Sequence, residues 1–176
     1  MFDSKYAISK KFVIFIGLII LSVSYSCTVK YTTTGASISP DVKTVSVQFF
    51  PNKAPLGMAN LGQYFTDELK DKFLSQTRLM LVENNGHLNF EGEITAYNTK
   101  PIAVQGDEIA AQNRLTIKVH VVFVNEKDPE QNFDTSFSRY QDYNSSESLS
   151  SVEEGLVESI VEELIEDIFN KSVVNW

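Results

Sequence analysis

The chain has 176 residues, with 15 basic against 23 acidic side chains and a formal net charge of −8. That balance excludes general nucleic-acid binding, which needs a basic footprint, and it excludes docking on anionic lipid by charge alone. Cys27 is the single cysteine, so no intrachain disulfide can form.

The N-terminus carries Lys5, Lys10 and Lys11 against Asp3, then an apolar run from Phe12 to Val23, then Ser24-Tyr25-Ser26 leading into Cys27. A basic start, a short apolar stretch and a small residue before the cut describe a secretory signal peptide over residues 1–26. The run falls short of the roughly 20 apolar residues of a bilayer-spanning helix; an uncleaved signal anchor is the competing reading. A lone cysteine directly after such a run is the position that receives lipid in bacterial lipoproteins. Ser26 fits that pattern, while Ser24 stands where leucine is usual. Cys27 is therefore the expected lipidation site, against an incidental thiol beside an ordinary cleavage site. Without residues 1–26, which hold three lysines and one aspartate, 150 residues remain with a net charge of −10. That length suits one domain with a real core.

Residues 27–43 lack sustained periodicity and are rich in Thr, Ser and Gly, which predicts a tether. Lys43–Phe50 alternates as a strand, with Val45, Val47 and Phe49 on one face. Pro51 stops it, and a loop runs to Asn60, a candidate N-cap. Leu61, Phe65, Leu69 and Phe73 recur every four residues, predicting a helix to Gln76. Arg78–Glu83 reads as a strand, and Asn85-Gly86 as a hairpin turn, because both residues tolerate positive φ. A strand follows from Leu88 to about Thr99, with Phe90, Ile94 and Ala96 on one face and Pro101 ending or edging it. Residues 103–113 form a loop. Arg114–Asn125 is a strand with Leu115, Ile117, Val119, Val121 and Phe123 on one face, and Phe133–Tyr143 is another strand beyond a polar turn. Ser150 or Ser151 caps a last helix over Val152–Lys171, whose stripe is Val152, Leu156, Ile160, Leu164 and Ile168. The order β-α-β-β-β-β-α, with one apolar stripe on each helix, predicts an α+β domain over residues 44–176. Its architecture is a two-layer sandwich with two helices packed on one face of a mixed β-sheet.

Chemistry is sparse. His87 sits beside the predicted turn and reads as solvated; His120 shares a strand face with Arg114, Thr116 and Lys118. Neither has the spacing to cysteine or carboxylate that a zinc site needs, so no metal and no cofactor are expected. Glu91 and Glu93 share a strand face, and a buried carboxylate pair can do acid–base work, but a solvated polar face explains them more simply. The acids of the last helix read as its wet surface. No nucleophile elbow, Ser-His-Asp order or phosphate-binding glycine loop can be assembled, so no catalytic residue is assigned. The one basic constellation is Arg114 and Lys118 on a strand face, with Lys100 ending the preceding strand. Such a stripe can hold an anionic headgroup, arginine acting bidentately on phosphate; ordinary charge on a half-exposed sheet is the competing explanation.

Five stretches, TGASISPDVKTVSVQFFPN (34–52), FTDELKDKFLSQTRLMLV (65–82), LNFEGEITAYN (88–98), NRLTIKVHVVFVN (113–125) and SVEEGLVESIVEELIEDIFNKSVVNW (151–176), together resemble the LptE family of lipopolysaccharide-assembly lipoproteins. The resemblance covers essentially the whole chain after Cys27. It implies a lipid-anchored, periplasm-facing protein of the outer membrane. Such a protein plugs the LptD β-barrel, helps it assemble and binds lipopolysaccharide, without catalysis. Cys27 carries over as the lipid site. No short motif transfers lipopolysaccharide contacts, so Arg114, Lys118 and Lys100 stand as candidates from the strand pattern alone. The alternative is a periplasmic lipoprotein that binds a small ligand or a peptide, in a pocket between helices and sheet or along a strand edge. A hydrolase built on Glu91 and Glu93 ranks last.

Overall fold

The computed structural model describes residues 38–102 and 111–173. The expected signal segment, Cys27, the tether up to residue 37 and most of the loop after residue 102 lie outside the described residues. The elements are β1 (Thr44–Val47), α1 (Leu61–Gln76), β2 (Met80–Leu81), β3 (Leu88–Ile102), β4 (Gln112–Asn125), a 3-10 turn (Pro129–Gln131), β5 (Phe133–Asn144) and α2 (Leu149–Val173). The sheet order is β2-β1-β3-β4-β5. β1 runs parallel to both β2 and β3, and β3, β4 and β5 form an antiparallel meander. Both helices cover one face, giving the expected two-layer α+β sandwich. No helix of the described residues is long and apolar enough to cross a membrane.

The core follows from periodicity. Leu61, Phe65, Leu69 and Phe73 of α1 are buried, and so are Leu115, Ile117, Val119, Val121 and Phe123 of β4. A train of rings runs through it: Phe169 to Phe73 at 5.2 Å between centroids, Phe73 to Phe90 at 4.8 Å, Phe90 to Phe123 at 4.7 Å and Phe123 to Phe133 at 5.1 Å. Each tilted pair contributes about 0.5–1.5 kcal/mol beyond the area it buries. On α2 the buried set is wider than a single four-residue stripe: Val157, Val161, Ile165 and Phe169 join Ile160, Leu164 and Ile168, while Val152 and Leu156 are only partly buried. A strict four-residue repeat drifts by about 40° per step on a helix of 3.6 residues per turn. The ends of the expected stripe therefore rotate off the sheet.

Several expectations are corrected. Asn85-Gly86 does not close a hairpin, because β1 lies between β2 and β3. The expected strand at Arg78–Glu83 shrinks to Met80–Leu81, and the chain then crosses over β1. There Gly86 N–H donates to Ser46 Oγ at 3.0 Å, and Ser46 Oγ donates to Asn89 Oδ1 at 2.6 Å. A Cβ on Gly86 would lie 2.5 Å from the Ser46 nitrogen, so the glycine is required by close approach. β1 ends at Val47, which breaks the expected alternation: Phe49 is 55% exposed and Phe50 is fully buried. In β3 the register shifts between Ile94 and Ala96, a β-bulge that brings Tyr97 to the core face in place of Ala96. The strand runs through Pro101, paired to Asn113. On its other side the segment after β1 bonds no further along β3 than Ile94, so the proline has an edge position there. Asn60 precedes α1 but makes no side-chain capping bond. Ser150 and Ser151 fall inside α2, which starts at Leu149.

Candidate functional site

The helices leave the second face of the sheet uncovered, and the side chains that alternate with the core residues stand on it. Register places them in rows across β3, β4 and β5: Lys100, Arg114 and Asp142; Asn98, Thr116 and Tyr140; Ala96, Lys118 and Ser138; Glu93, His120 and Ser136. The next row holds Glu91, Val122 and Asp134. This face is polar and mixed in sign: Lys100 and Arg114, with Asp142 beside them, stand toward the end where β4 begins, and Glu91, Glu93 and Asp134 toward the other.

The three sequence candidates share this surface, in different states. Lys100 lies directly opposite Arg114, and Lys118 lies four residues further along β4 on the same side. Both lysines are exposed, and neither has an ion-pair partner among the described residues. Arg114 is engaged. Its Nε and one terminal nitrogen donate to the two carboxylate oxygens of Asp142 at 2.7 and 2.9 Å, and the guanidinium lies 3.5 Å from the centroid of the Tyr140 ring. The hydrogen bonds raise the arginine above its ordinary value and hold Asp142 below the usual carboxylate range. Asp142 and Tyr140 were missed in sequence. Their signal is the alternation of β5 and the short turn that registers it against β4.

His120 Nε2 stands 3.2 Å from Asp134 Oδ1, and Glu93 is opposite His120 in the register. Glu91 and Glu93 do share the open face. Among the described residues no group of three or more His, Cys, Asp or Glu is arranged to hold a metal ion. His87, read as solvated, is half-buried: its Nδ1 accepts from the Lys43 N–H at 3.1 Å and its own N–H donates to Thr44 Oγ1 at 2.9 Å, which fixes the start of β1.

The helix side is fastened by carboxylates. Arg139 of β5 makes two 2.6 Å hydrogen bonds to Asp167, Gln141 donates to Glu163 at 2.9 Å, and Lys72 of α1 pairs with Glu166. The Tyr97 phenol donates to Glu153; burial first, and then this bond, push its pKa upward. Burial and the nearby Glu68, Glu158 and Glu162 raise Tyr64. No buried side-chain polar atom among the described residues lacks a hydrogen-bond partner. A cleft of about 410 Å³ opens beside the end of α2, lined by Ile38, Val42, Leu88, Asn125, Lys127 and Val173 among others. It lies at one end of the domain, and the layer between helices and sheet is filled by the ring train.

A family model described as LptE, lipopolysaccharide-assembly, matches residues 42–172. No curated protein matches the chain in sequence. Among solved structures, a minor lipoprotein from Acinetobacter baumannii is similar with a TM-score of 0.50 at 12% identity, over 74% of this chain and 91% of its own. A neuraminyllactose-binding hemagglutinin homolog from Helicobacter pylori gives 0.51 at 10% identity, over 81% and 89%. At such identities the likeness is one of fold.

Proposed function

The chain belongs to the LptE, lipopolysaccharide-assembly family, and from that membership we propose a non-enzymatic lipoprotein that works with an LptD-type outer-membrane β-barrel as its plug and assembly subunit. The role is lipopolysaccharide transport to, and insertion into, the outer membrane. The observation that carries the proposal is the family match across residues 42–172, which takes in every strand of the sheet, the whole of α1 and all but the last residue of α2. In this reading residues 1–26 direct export, Cys27 bears the lipid anchor and the domain faces the periplasm. The lumen of an outer-membrane barrel is polar, and a sheet face of mixed charge and polar side chains suits such a wall better than an apolar surface would. Lys100 and Lys118, with Arg114 once released from Asp142, are the proposed contacts to lipopolysaccharide phosphates. The net charge of −10 calculated without residues 1–26 restricts such contacts to this local cluster.

The test is an affinity pull-down of the tagged full-length protein from solubilised outer membranes, with co-eluting proteins identified by mass spectrometry. A stoichiometric barrel of the LptD type is expected. Recovery of the protein always alone, with Cys27 carrying lipid, would overturn the assembly role and bring forward the ligand-binding lipoprotein. The pocket form of that second reading has less support, because the described cleft lies at one end of the domain, where α2 ends, and aromatic rings pack the layer between helices and sheet.

A further inference from the structure

We propose that Asn85 is a site of spontaneous deamidation that the crossing over β1 holds latent, so that its conversion marks chains in which this crossing has opened. Asn85-Gly86 is the one Asn-Gly pair in the sequence, and in the fold it closes no hairpin. Asparagine followed by glycine is the pair most prone to deamidation, because glycine has no Cβ to hinder attack by its backbone nitrogen on the preceding side chain. In that reaction the Gly86 nitrogen gives up its proton and bonds to Asn85 Cγ. The bond from Cγ to the side-chain nitrogen breaks, and ammonia leaves with that proton. Water then opens the five-membered imide at either carbonyl, giving aspartate or, along a longer backbone, isoaspartate. Water is the co-reactant, and the side-chain amide is replaced by a carboxylate.

The fold presents one partner of this reaction and withholds the other. Asn85 is exposed and stands at φ 55°, a left-handed conformation that asparagine adopts more readily than most residues. Its neighbour is sealed. Gly86 is buried, and its N–H donates to Ser46 Oγ at 3.0 Å. Ser46 is itself fully buried and donates its own hydroxyl proton to Asn89 Oδ1 at 2.6 Å, which leaves its oxygen facing Gly86 as an acceptor. A buried N–H held in this way meets no hydroxide or general base, and the nitrogen cannot turn toward Cγ while the bond lasts. Deamidation therefore waits for the crossing to open, and its rate tracks the population of the opened form.

The isoaspartate product does not fit back. It places an extra carbon in the backbone between residues 85 and 86. Even a Cβ on Gly86 would stand 2.5 Å from the Ser46 nitrogen and 2.7 Å from the Val45 carbonyl carbon. A chain converted in this way loses the close approach that seats β1 between β2 and β3, and a transient opening becomes permanent.

The test incubates the full-length protein at neutral pH, folded in detergent and unfolded in urea. Conversion at residue 85 is followed by peptide mass spectrometry, with fragmentation to separate Asn84 from Asn85 and retention time to separate isoaspartate from aspartate. The folded chain is expected to convert at least about tenfold more slowly than the unfolded one; equal rates overturn the proposal. Ser46→Ala removes the acceptor, and Tyr97→Phe weakens the domain while leaving that acceptor in place. With each rate corrected for the fraction unfolded, Ser46→Ala should convert at least about fivefold faster than Tyr97→Phe. Matching rates would assign the protection to the fold at large and sink the hydrogen bond as its cause. If Ser46→Ala does not fold, hydrogen–deuterium exchange of the Gly86 amide in the folded wild type decides. Strong protection of that amide is expected, and exchange at the rate of an open amide overturns the proposal.

Discussion

Arg114 and Asp142 face each other across β4 and β5 and share two hydrogen bonds of 2.7 and 2.9 Å, so the arginine with the best geometry for phosphate is already holding a carboxylate. Lys100 and Lys118 should then carry most of any lipopolysaccharide-phosphate contact. Lys100→Gln with Lys118→Gln is expected to lower affinity for purified lipopolysaccharide by on the order of tenfold and to flatten its salt dependence. Asp142→Asn should raise affinity by freeing the guanidinium. Titrations at two salt concentrations check both, and unchanged affinity in the double variant removes this face as the contact.

Acid stability follows from Glu166 and Asp142. The hydrogen bond from Lys72 lowers Glu166 from its ordinary 4.5, and the pair from Arg114 lowers Asp142 from 3.8. A depressed folded-state value means that the stabilisation is present above the unfolded value and is lost as pH falls through the folded one. Urea midpoints should therefore drop below about pH 4.5. Glu166→Gln should lower the midpoint at neutral pH and flatten its fall in acid. A variant whose acid slope matches the wild type would show that the Lys72 pair contributes nothing to folding.

The alkaline side belongs to Tyr97. Its phenol is raised above the ordinary 10.0 by burial and by the bond to Glu153. The folded state thus favours the protonated phenol; this contribution is complete below the unfolded value and is lost as pH rises past 10.0 toward the folded one. Tyr97→Phe should weaken the domain at neutral pH and reduce its loss of stability above pH 10. Denaturation midpoints from pH 8 to 11 separate the two effects, and an unaltered alkaline slope in the phenylalanine variant excludes the phenol as its source.

What was legible in the sequence was whatever one period could carry. α1 has the expected bounds because its apolar residues keep helical spacing to Phe73 and Thr77 closes it, its N–H donating to the Phe73 carbonyl at 3.1 Å. β4 was legible because Leu115 to Phe123 alternate without a break. What failed were the places where tertiary structure changes the period. The bulge after Ile94 moves Tyr97 inward, and the end of β1 at Val47 reverses Phe49 and Phe50. The insertion of β1 between β2 and β3 is a long-range pairing that the local signal of Asn85-Gly86 cannot contain. The candidate site was half legible: three cations on one face follow from alternation, but the Asp142 that occupies Arg114 comes from another strand and needs the register.

Phe49 and Phe50 turn that reversal into a measurement. Phe50 is fully buried, its ring 5.1 Å from Phe65 and its N–H donating to Thr66 Oγ1 at 3.0 Å. Phe50→Ala should cost about 3–5 kcal/mol of folding stability. Phe49→Ala, at a side chain 55% exposed, should cost under about 1 kcal/mol. Strict continuation of the β1 alternation requires the opposite ranking, so urea denaturation of the two variants discriminates directly.

Three glycines give substitutions of opposite sign. At Gly92 a Cβ would stand 2.0 Å from the His120 carbonyl oxygen and 2.7 Å from the Phe50 ring, and at Gly86 it would stand 2.5 Å from the Ser46 nitrogen. Backbone occupies both places and cannot step aside like a side chain, so Gly92→Ala and Gly86→Ala should each destabilise by more than about 2 kcal/mol. Gly155 lies within α2 and a Cβ there meets nothing within 4 Å. Gly155→Ala should stabilise by about 0.5–1 kcal/mol, through the better helix propensity of alanine and the smaller conformational freedom of the unfolded chain. Thermal and urea midpoints of the three variants check the set. A stable Gly86→Ala protein would mean that the chain does not cross β1 at such close range, and with that crossing the placement of β1 between β2 and β3 would fall.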